Sequence, residues 1–165
     1  MSQQNIQLIS IEQAKRVCPI IASALIMGVV VAGFAIVPFD VFAKPANGQV
    51  ISLIMAGMAG ACFLASMFIP NIVSRAILSK FPEEQEKAYP TAYQTQMIIR
   101  LALLEGPAFA NLVALPSERN PWSLGIVVWL IVTMILFFPT PGRIDAWIKQ
   151  KKELADFPQQ DADSN

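Results

Sequence analysis

The chain has 165 residues, 55% of them hydrophobic and 15% charged, and its formal net charge is zero. Soluble domains hold about 45–50% apolar and about 25% charged residues, so this composition is that of a membrane-embedded chain. A neutral chain offers no overall electrostatic support for binding nucleic acid. Because the chain has no histidine and only two cysteines, Cys18 and Cys62, it offers neither a His/Cys metal site nor a disulfide framework, and we expect no cofactor.

The apolar residues are clustered into four segments rather than spread along the chain. A helix needs about 20 mostly apolar residues to cross the hydrocarbon core of a bilayer. Four segments meet or approach that length, at residues 19–39, 50–73, 91–115 and 122–138. The sequence therefore predicts an all-α integral membrane protein, with four transmembrane helices forming a bundle over residues 19–138.

Residues 1–18 form a polar N-terminal lead. Ser10 with Gln13 three residues later fits a capping box, which predicts a short amphipathic helix that begins at Ile11 and lies on the membrane surface. Pro19 then predicts a bend before the first span. A cleaved signal peptide is the alternative for this span, but its apolar run exceeds the usual length of about 7–15 residues, which favours a retained span.

Small residues recur at helical spacing in the first two spans. Lipid provides no hydrophobic force between helices, so small side chains are what allow two backbones to approach closely. We expect these residues to pack span one against span two, with a dimer contact as the alternative. The residues concerned are Ala24, Gly28, Ala32, Gly57, Gly60 and Ala61.

The connections carry most of the charge. A cytoplasmic loop at about residues 74–90 has charges of both signs, and Pro90 suits the first turn of the third helix. Asn120 and Pro121 form a cap and a first helical residue for the fourth span. The distribution of apolar and charged residues over 139–156 predicts an amphipathic helix on the cytoplasmic membrane surface. The polar, acidic composition of residues 157–165 predicts a disordered tail.

Basic residues are distributed unevenly between the two ends of the predicted spans. With four spans, ten of the twelve lysines and arginines belong to the side that holds both termini, counting Arg100 just inside the third span, and only Lys44 and Arg119 fall on the other. The positive-inside rule places the basic side in the cytoplasm. We therefore expect both termini to be cytoplasmic, in a cell or inner membrane, next to anionic lipids.

The third span contains an acid, Glu105, that apolar packing alone does not explain. It lies about 22 Å along a helix that begins near Pro90, close to the bilayer centre, where an acidic residue costs roughly 2.5–3.5 kcal/mol. Helical geometry puts Arg100 and Asn111 on the opposite side, so Arg100 is badly placed to pair with the acid. Two readings stay open: Glu105 pins helices together by a hydrogen bond, or it carries a proton or an ion.

Gly106 and Pro107 follow the acid directly. Pro107 has no N–H to donate to the carbonyl of Leu103, so we expect a kink and an unpaired acceptor close to Glu105. We expect Asn111, a water molecule or a hydroxyl on a neighbouring helix to satisfy that acceptor.

The run from Ala102 to Gly106 (ALLEG) resembles the carboxylate helix of rotary-ATPase proteolipid subunits of the c type. The second span, with its glycines, is then similar to the small-residue-rich partner helix of that hairpin. The likeness covers about a tenth of the chain. The long charged connection, Pro107 and the flanking spans depart from that family, so we carry no function over from it.

The sequence holds no recognisable catalytic constellation. There is no glycine-rich phosphate loop, no G-x-S-x-G motif and no histidine to act as a base. We therefore predict a protein that is not an enzyme and that acts as a structural or accessory component of a membrane assembly. The alternative is a subunit that translocates protons or ions through Glu105. The expected partners are the lipid bilayer and a membrane protein or a second copy, and no nucleic acid is expected.

Overall fold

The computed structural model describes residues 8–37, 48–82 and 84–156 of the chain. Within these ranges every regular element is a helix, and no strand occurs. The predicted tail at residues 157–165 lies outside them. The helices are α1 (Ile11–Ile36), α2 (Val50–Leu78), α3 (Gln85–Glu118), α4 (Pro121–Leu136) and α5 (Pro141–Asp156).

Three helices, α1, α2 and α3, are each long and apolar enough to cross a membrane. With 16 residues, α4 is shorter than a usual span, and it reaches the required length only together with α5, from which it is bent by 67°. The described helices are thus compatible with three spans, or with four if the bent pair counts as one. The all-helical character expected from the sequence is confirmed.

The lead before the first span and the span itself form one continuous helix, α1. Its N-cap is Ser10, whose hydroxyl accepts a 3.2 Å hydrogen bond from the N–H of Gln13, as the sequence pattern predicts. Pro19 lies inside the helix, where it forfeits one hydrogen bond to the preceding turn. The chain stays helical across the junction, so the described residues hold no separate surface helix before the first span.

The longest helix, α3, is the centre of the fold, and each of the other four helices packs against it. Its inward side chains, such as Leu104, are fully buried. Helix α1 runs parallel to α3. Just before α1 begins, the N–H of Ile9 donates a 3.1 Å hydrogen bond to the hydroxyl of Thr91, and near the end of α1 Gly33 lies beside Leu112.

Helices α2 and α4 run antiparallel to α3. Ser52, in the first turn of α2, lies beside Glu118, the last residue of α3. Ser123, in the first turn of α4, donates a 3.1 Å hydrogen bond to the hydroxyl of Ser52, and Phe137, just after α4, lies beside Arg100. The first four helices therefore alternate in direction along the chain.

Gly57, Gly60 and Ala61 of α2 face away from the other described helices. A Cβ added at Gly57 or Gly60 would meet no atom within 4 Å, and Ala61 is exposed. Among the described residues, α1 and α2 both pack against α3 and barely contact each other. The expectation that spans one and two pack together through these residues is therefore wrong, because α3 takes the inward face of α2.

The small residues of α1 are divided between two environments. Ala24 is exposed, whereas Ala32 is partly buried against the hydrophobic core. Gly28 does lie at a helix contact, but its neighbours are Glu105 and Phe109 of α3. Helical spacing identified Gly28 as a position where another helix can come close to the backbone of α1. The structure shows that this helix is α3.

Helix α3 begins at Gln85, so Pro90 lies in its second turn rather than at its start. Helix α2 ends at Leu78 and α3 begins at Gln85, so both helices extend into the predicted loop of residues 74–90. At the other end of α3, Asn120 caps α4 as predicted, because its side chain accepts a 3.2 Å hydrogen bond from the N–H of Trp122.

Helix α5 packs its apolar side against the other helices. Ile144 is fully buried and Ile148 is 6% exposed. The ring of Trp147 lies edge-on to Tyr89 and Tyr93, with centroid distances of 6.5 and 5.4 Å. Protein side chains therefore cover apolar residues of the helix that the sequence analysis places on the membrane surface.

Candidate functional site

Glu105 lies at the contact between α3 and α1. Its Oε1 is 3.7 Å from the position that a Cβ on Gly28 would take, and the ring of Phe109 borders the same space at 3.9 Å. The side chain is half-buried. Among the residues that the structure describes, Glu105 makes no hydrogen bond and no ion pair. An ionisable group in the middle of the central helix is thus left without a partner from the described chain.

Arg100 lies on another face of α3 and contacts α2 and the end of α4. Its Nε donates a 3.2 Å hydrogen bond to the carbonyl of Ser66, and its guanidinium carbon lies 4.7 Å from the ring centroid of Phe137. Glu105 lies five positions after Arg100, which turns the two side chains about 140° apart on a helix. The structure therefore directs them to different neighbours.

Asn111 connects α3 to α2. Its Nδ2 donates to the carbonyl of Pro107 at 2.9 Å and to the carbonyl of Met55 at 3.3 Å, whereas its buried Oδ1 has no partner among the described residues. Pro107 is buried, and Gly106 is exposed with open space around it. Asn111, one of the three donors that the sequence offered for the carbonyl of Leu103, thus bonds two other carbonyls instead.

A polar contact between α2 and α3 was missed by the sequence reasoning. Gln96 is 6% exposed, and its Nε2 donates a 3.0 Å hydrogen bond to Oδ1 of Asn71. Its Oε1 is buried without a partner in the described part of the chain. Gln96 shares its helical face with Arg100 and Asn111, and this pattern of polar residues was the available signal. These three residues form a polar seam between α2 and α3.

A second missed residue is Glu118, which caps α2 from across the structure. Its Oε1 accepts a 2.7 Å hydrogen bond from the N–H of Ile51, and its Oε2 accepts one of the same length from the N–H of Ser52. Gln49, the residue at the N-cap position, makes no side-chain cap of its own. The only sequence signal was that Gln49 is a poor N-cap residue for α2. That signal does not identify which distant side chain accepts the hydrogen bonds in its place.

A cavity of about 300 Å³ lies where the first half of α3 meets the corner between α4 and α5. Two guanidinium groups border it, those of Arg100 and Arg143. Its other walls are mostly aromatic or apolar. The remaining lining residues are Tyr93, Gln96, Met97, Leu136, Phe137 and Trp147.

The described residues hold no cluster of three acidic or cysteine side chains that would bind a metal ion. Both cysteines are free, with Cys18 buried and Cys62 partly buried. The features of the described chain that could serve a function are the unpaired carboxyl of Glu105, the polar seam and the cavity with two arginines.

No protein-family model matches this chain, and no curated protein or solved structure matches it either.

Proposed function

We propose that this chain is a small, non-enzymatic membrane protein that acts as an accessory component of a membrane assembly, and that it contacts a partner at Glu105. The observation that carries the proposal is the half-buried Glu105 carboxyl without a hydrogen bond or ion pair among the described residues. Polar groups in lipid have no water to bond and are normally satisfied by protein. Since the described part of this chain supplies no such group, a second molecule is the source that we propose.

The surface beside Glu105 suits the close approach of another helix. Ala102 and Gly106 are exposed on α3, and a Cβ on Gly106 would meet no atom within 4 Å. Small side chains let backbones approach in lipid, and polar side chains then bond across the contact. The partner that fits is a transmembrane helix of another protein carrying a basic or donor-bearing side chain.

We further propose that four spans form a bundle with both termini in the cytoplasm, in a cell or inner membrane. Ion pairs from Lys15 to Asp145 and from Lys152 to Glu86 show that the starts of α1 and α3 lie beside α5 at one end. That end carries most of the basic residues, and the positive-inside rule favours the cytoplasm for it. Exposed lysines of α5 are then available to anionic lipids.

Cysteine labelling tests this orientation. Single cysteines at Asn47 and at Asn165, in a chain lacking Cys18 and Cys62, are expected to react with a membrane-impermeant reagent from opposite sides. Labelling of both positions from the cytoplasmic side would contradict the four-span arrangement.

Translocation of protons or ions is the second candidate function. The same unpaired carboxyl favours it, because a proton is the smallest partner that an intramembrane acid can take. This candidate differs from the accessory role in one measurable respect: it requires flux through the isolated protein, whereas the accessory role requires only contact with a partner.

Site-specific photo-crosslinking in native membranes separates the two functions. A photoreactive side chain at Ala102 is expected to trap a partner helix in the wild-type background, and the Glu105→Leu change is expected to abolish the product. Val113→Leu, a change on the exposed side of the same helix, serves as the control and should leave the product intact. A product of twice the chain mass would identify a second copy as the partner and overturn the assignment to another protein.

Proton flux in proteoliposomes completes the test. The accessory role predicts the same flux for wild type and for Glu105→Gln. Wild-type flux that Glu105→Gln abolishes, together with no crosslinked partner, would overturn the accessory role in favour of translocation.

A further inference from the structure

Arg100 and Arg143 share the cavity at the corner between α4 and α5 without a carboxylate to neutralise them. The acids of this region in the described chain are already engaged by lysines. Asp145 pairs with Lys15 at 2.7 Å, and Glu86 pairs with Lys152 at 2.6 Å. The two guanidinium groups are therefore left as uncompensated positive charge within one cavity.

One nitrogen of each guanidinium donates to backbone carbonyls. The Nε of Arg100 bonds the carbonyl of Ser66, and the Nη1 of Arg143 bonds the carbonyls of Leu136 and Phe138 at the end of α4. A guanidinium has five N–H donors, so these carbonyls use only part of the donor set. The remaining N–H groups are available for the two parallel hydrogen bonds by which a guanidinium binds carboxylate or phosphate.

The cavity is large enough for an anion and has an apolar rim. Its volume of about 300 Å³ is far above the ~15 Å³ that a single water needs. Leu136, on the rim, is 63% exposed, and Phe137 and Trp147 form aromatic walls. A ligand with a charged head and an apolar body therefore fits better than a bare inorganic ion.

We propose that Arg100 and Arg143 bind the phosphate of a phosphoester in this cavity, either the headgroup of an anionic phospholipid or a soluble phosphate ester. Arg100 is half-buried and Arg143 is exposed. Keeping the half-buried guanidinium of Arg100 without a counter-charge is costly, and a bound phosphate reduces that cost. Leu136, the last residue of the apolar helix α4, lines this cavity and is exposed, so an apolar chain can lie against it. Glu105 is not part of this cavity, so the site stands independently of the accessory role.

Fluorescence of Trp147 reports on the site directly. In the full-length chain with Trp122→Phe and Trp129→Phe, Trp147 is the remaining tryptophan. The purified protein in a neutral detergent is titrated with dihexanoyl phosphatidylglycerol, with glycerol 3-phosphate, with inorganic phosphate and with dihexanoyl phosphatidylcholine. We expect a saturable change with phosphatidylglycerol, and a loss of affinity of about tenfold or more for Arg143→Gln.

The comparison of ligands distinguishes the two sources. Saturation by phosphatidylglycerol alone assigns the site to a lipid headgroup, whereas saturation by glycerol 3-phosphate at similar concentrations assigns it to a soluble ester. Lys149→Gln removes the same charge from an exposed position and is expected to leave the affinity unchanged. An equal loss for Lys149→Gln, or no saturation by any phosphate ligand, would overturn the proposal.

Conservative variants serve as the control for a loss of fold. Arg100→Lys and Arg143→Lys keep the positive charge and lose the planar fork, so we expect binding to weaken while the circular dichroism stays as in wild type. Wild-type affinity in both lysine variants and in Arg143→Gln would show that neither guanidinium binds the ligand. The crosslinked partner at Ala102 is expected to persist in these variants, which keeps this result separate from the test of the accessory role.

Discussion

The carboxylate of Glu118 accepts a 2.7 Å hydrogen bond from the backbone N–H of Ser52, which lies 66 residues earlier in the chain. The first N–H groups of a helix have no acceptor within that helix. Glu118 satisfies two of them and brings a negative charge to the positive end of the helix dipole of α2. One side chain thus fixes the end of α3 against the start of α2.

Removing this cap is expected to destabilise the protein. Glu118→Ala leaves two N–H groups at the start of α2 without acceptors, so we expect a fall of the Tm in detergent by at least a few degrees. Ser117→Ala, at an exposed neighbouring position, is the matched control and is expected to leave the Tm unchanged. Equal melting temperatures for the two variants would show that the cap adds nothing to stability.

The hydrogen bond between Gln96 and Asn71 is expected to couple the two residues energetically. Interhelical hydrogen bonds inside membrane proteins contribute on average about 0.6 kcal/mol and at most about 1.7 kcal/mol. A double-mutant cycle with Gln96→Leu and Asn71→Leu, measured by reversible unfolding in mixed micelles, is expected to give a coupling free energy in this range. A second cycle pairs Gln96→Leu with Ser117→Ala and is expected to be additive, since these positions share no contact. Additivity in the first cycle would contradict the contact.

Two glycines offer a matched test of helix packing. Gly28 faces Glu105 and Phe109 within 4 Å, whereas Gly57 faces open space. Gly28→Leu is therefore expected to force α1 away from α3 and to cost about 1–3 kcal/mol of the free energy of unfolding. Gly57→Leu is expected to change it by less than about 0.5 kcal/mol. The reverse order would mean that Gly57, rather than Gly28, lies at a close helix contact.

Aromatic contacts, rather than ion pairs, are expected to hold α5 in place. Trp147 contacts two tyrosines of α3, and each edge-on aromatic pair contributes about 0.5–1.5 kcal/mol beyond its buried area. The pair between Lys152 and Glu86 is exposed, so water and salt screen it. Limited proteolysis of α5 is therefore expected to speed up strongly in Trp147→Ala and little in Lys152→Ala. Faster cleavage of the lysine variant would contradict this order.

Local signals in the sequence located the helices well. Ser10 and Asn120 cap α1 and α4 as their sequence patterns predict, because a cap needs only residues two or three positions apart. Hydropathy located the long apolar helices for the same reason, since length and composition are properties of one segment. The boundaries at Pro19 and Pro90 were less accurate, because each proline is accommodated inside a helix.

The candidate site depended more on tertiary structure. Helical geometry separated Glu105 from Arg100 before any contact was known. It did not reveal that Arg100 shares a cavity with Arg143, 43 residues later, because that proximity depends on the bend of 67° between α4 and α5. Glu118 is a similar case, since its role depends on which helix start lies opposite it.

The sequence by itself determined that the chain is helical, apolar and capped at defined residues, since these properties arise from neighbours along the chain. The tertiary structure alone decided that α3 is the shared partner of the other helices and that Gly57 and Gly60 face outward. The physical reason lies in how helices pack against one another. A small residue permits close approach without specifying the partner, and the partner is chosen by the summed contacts of whole helix faces.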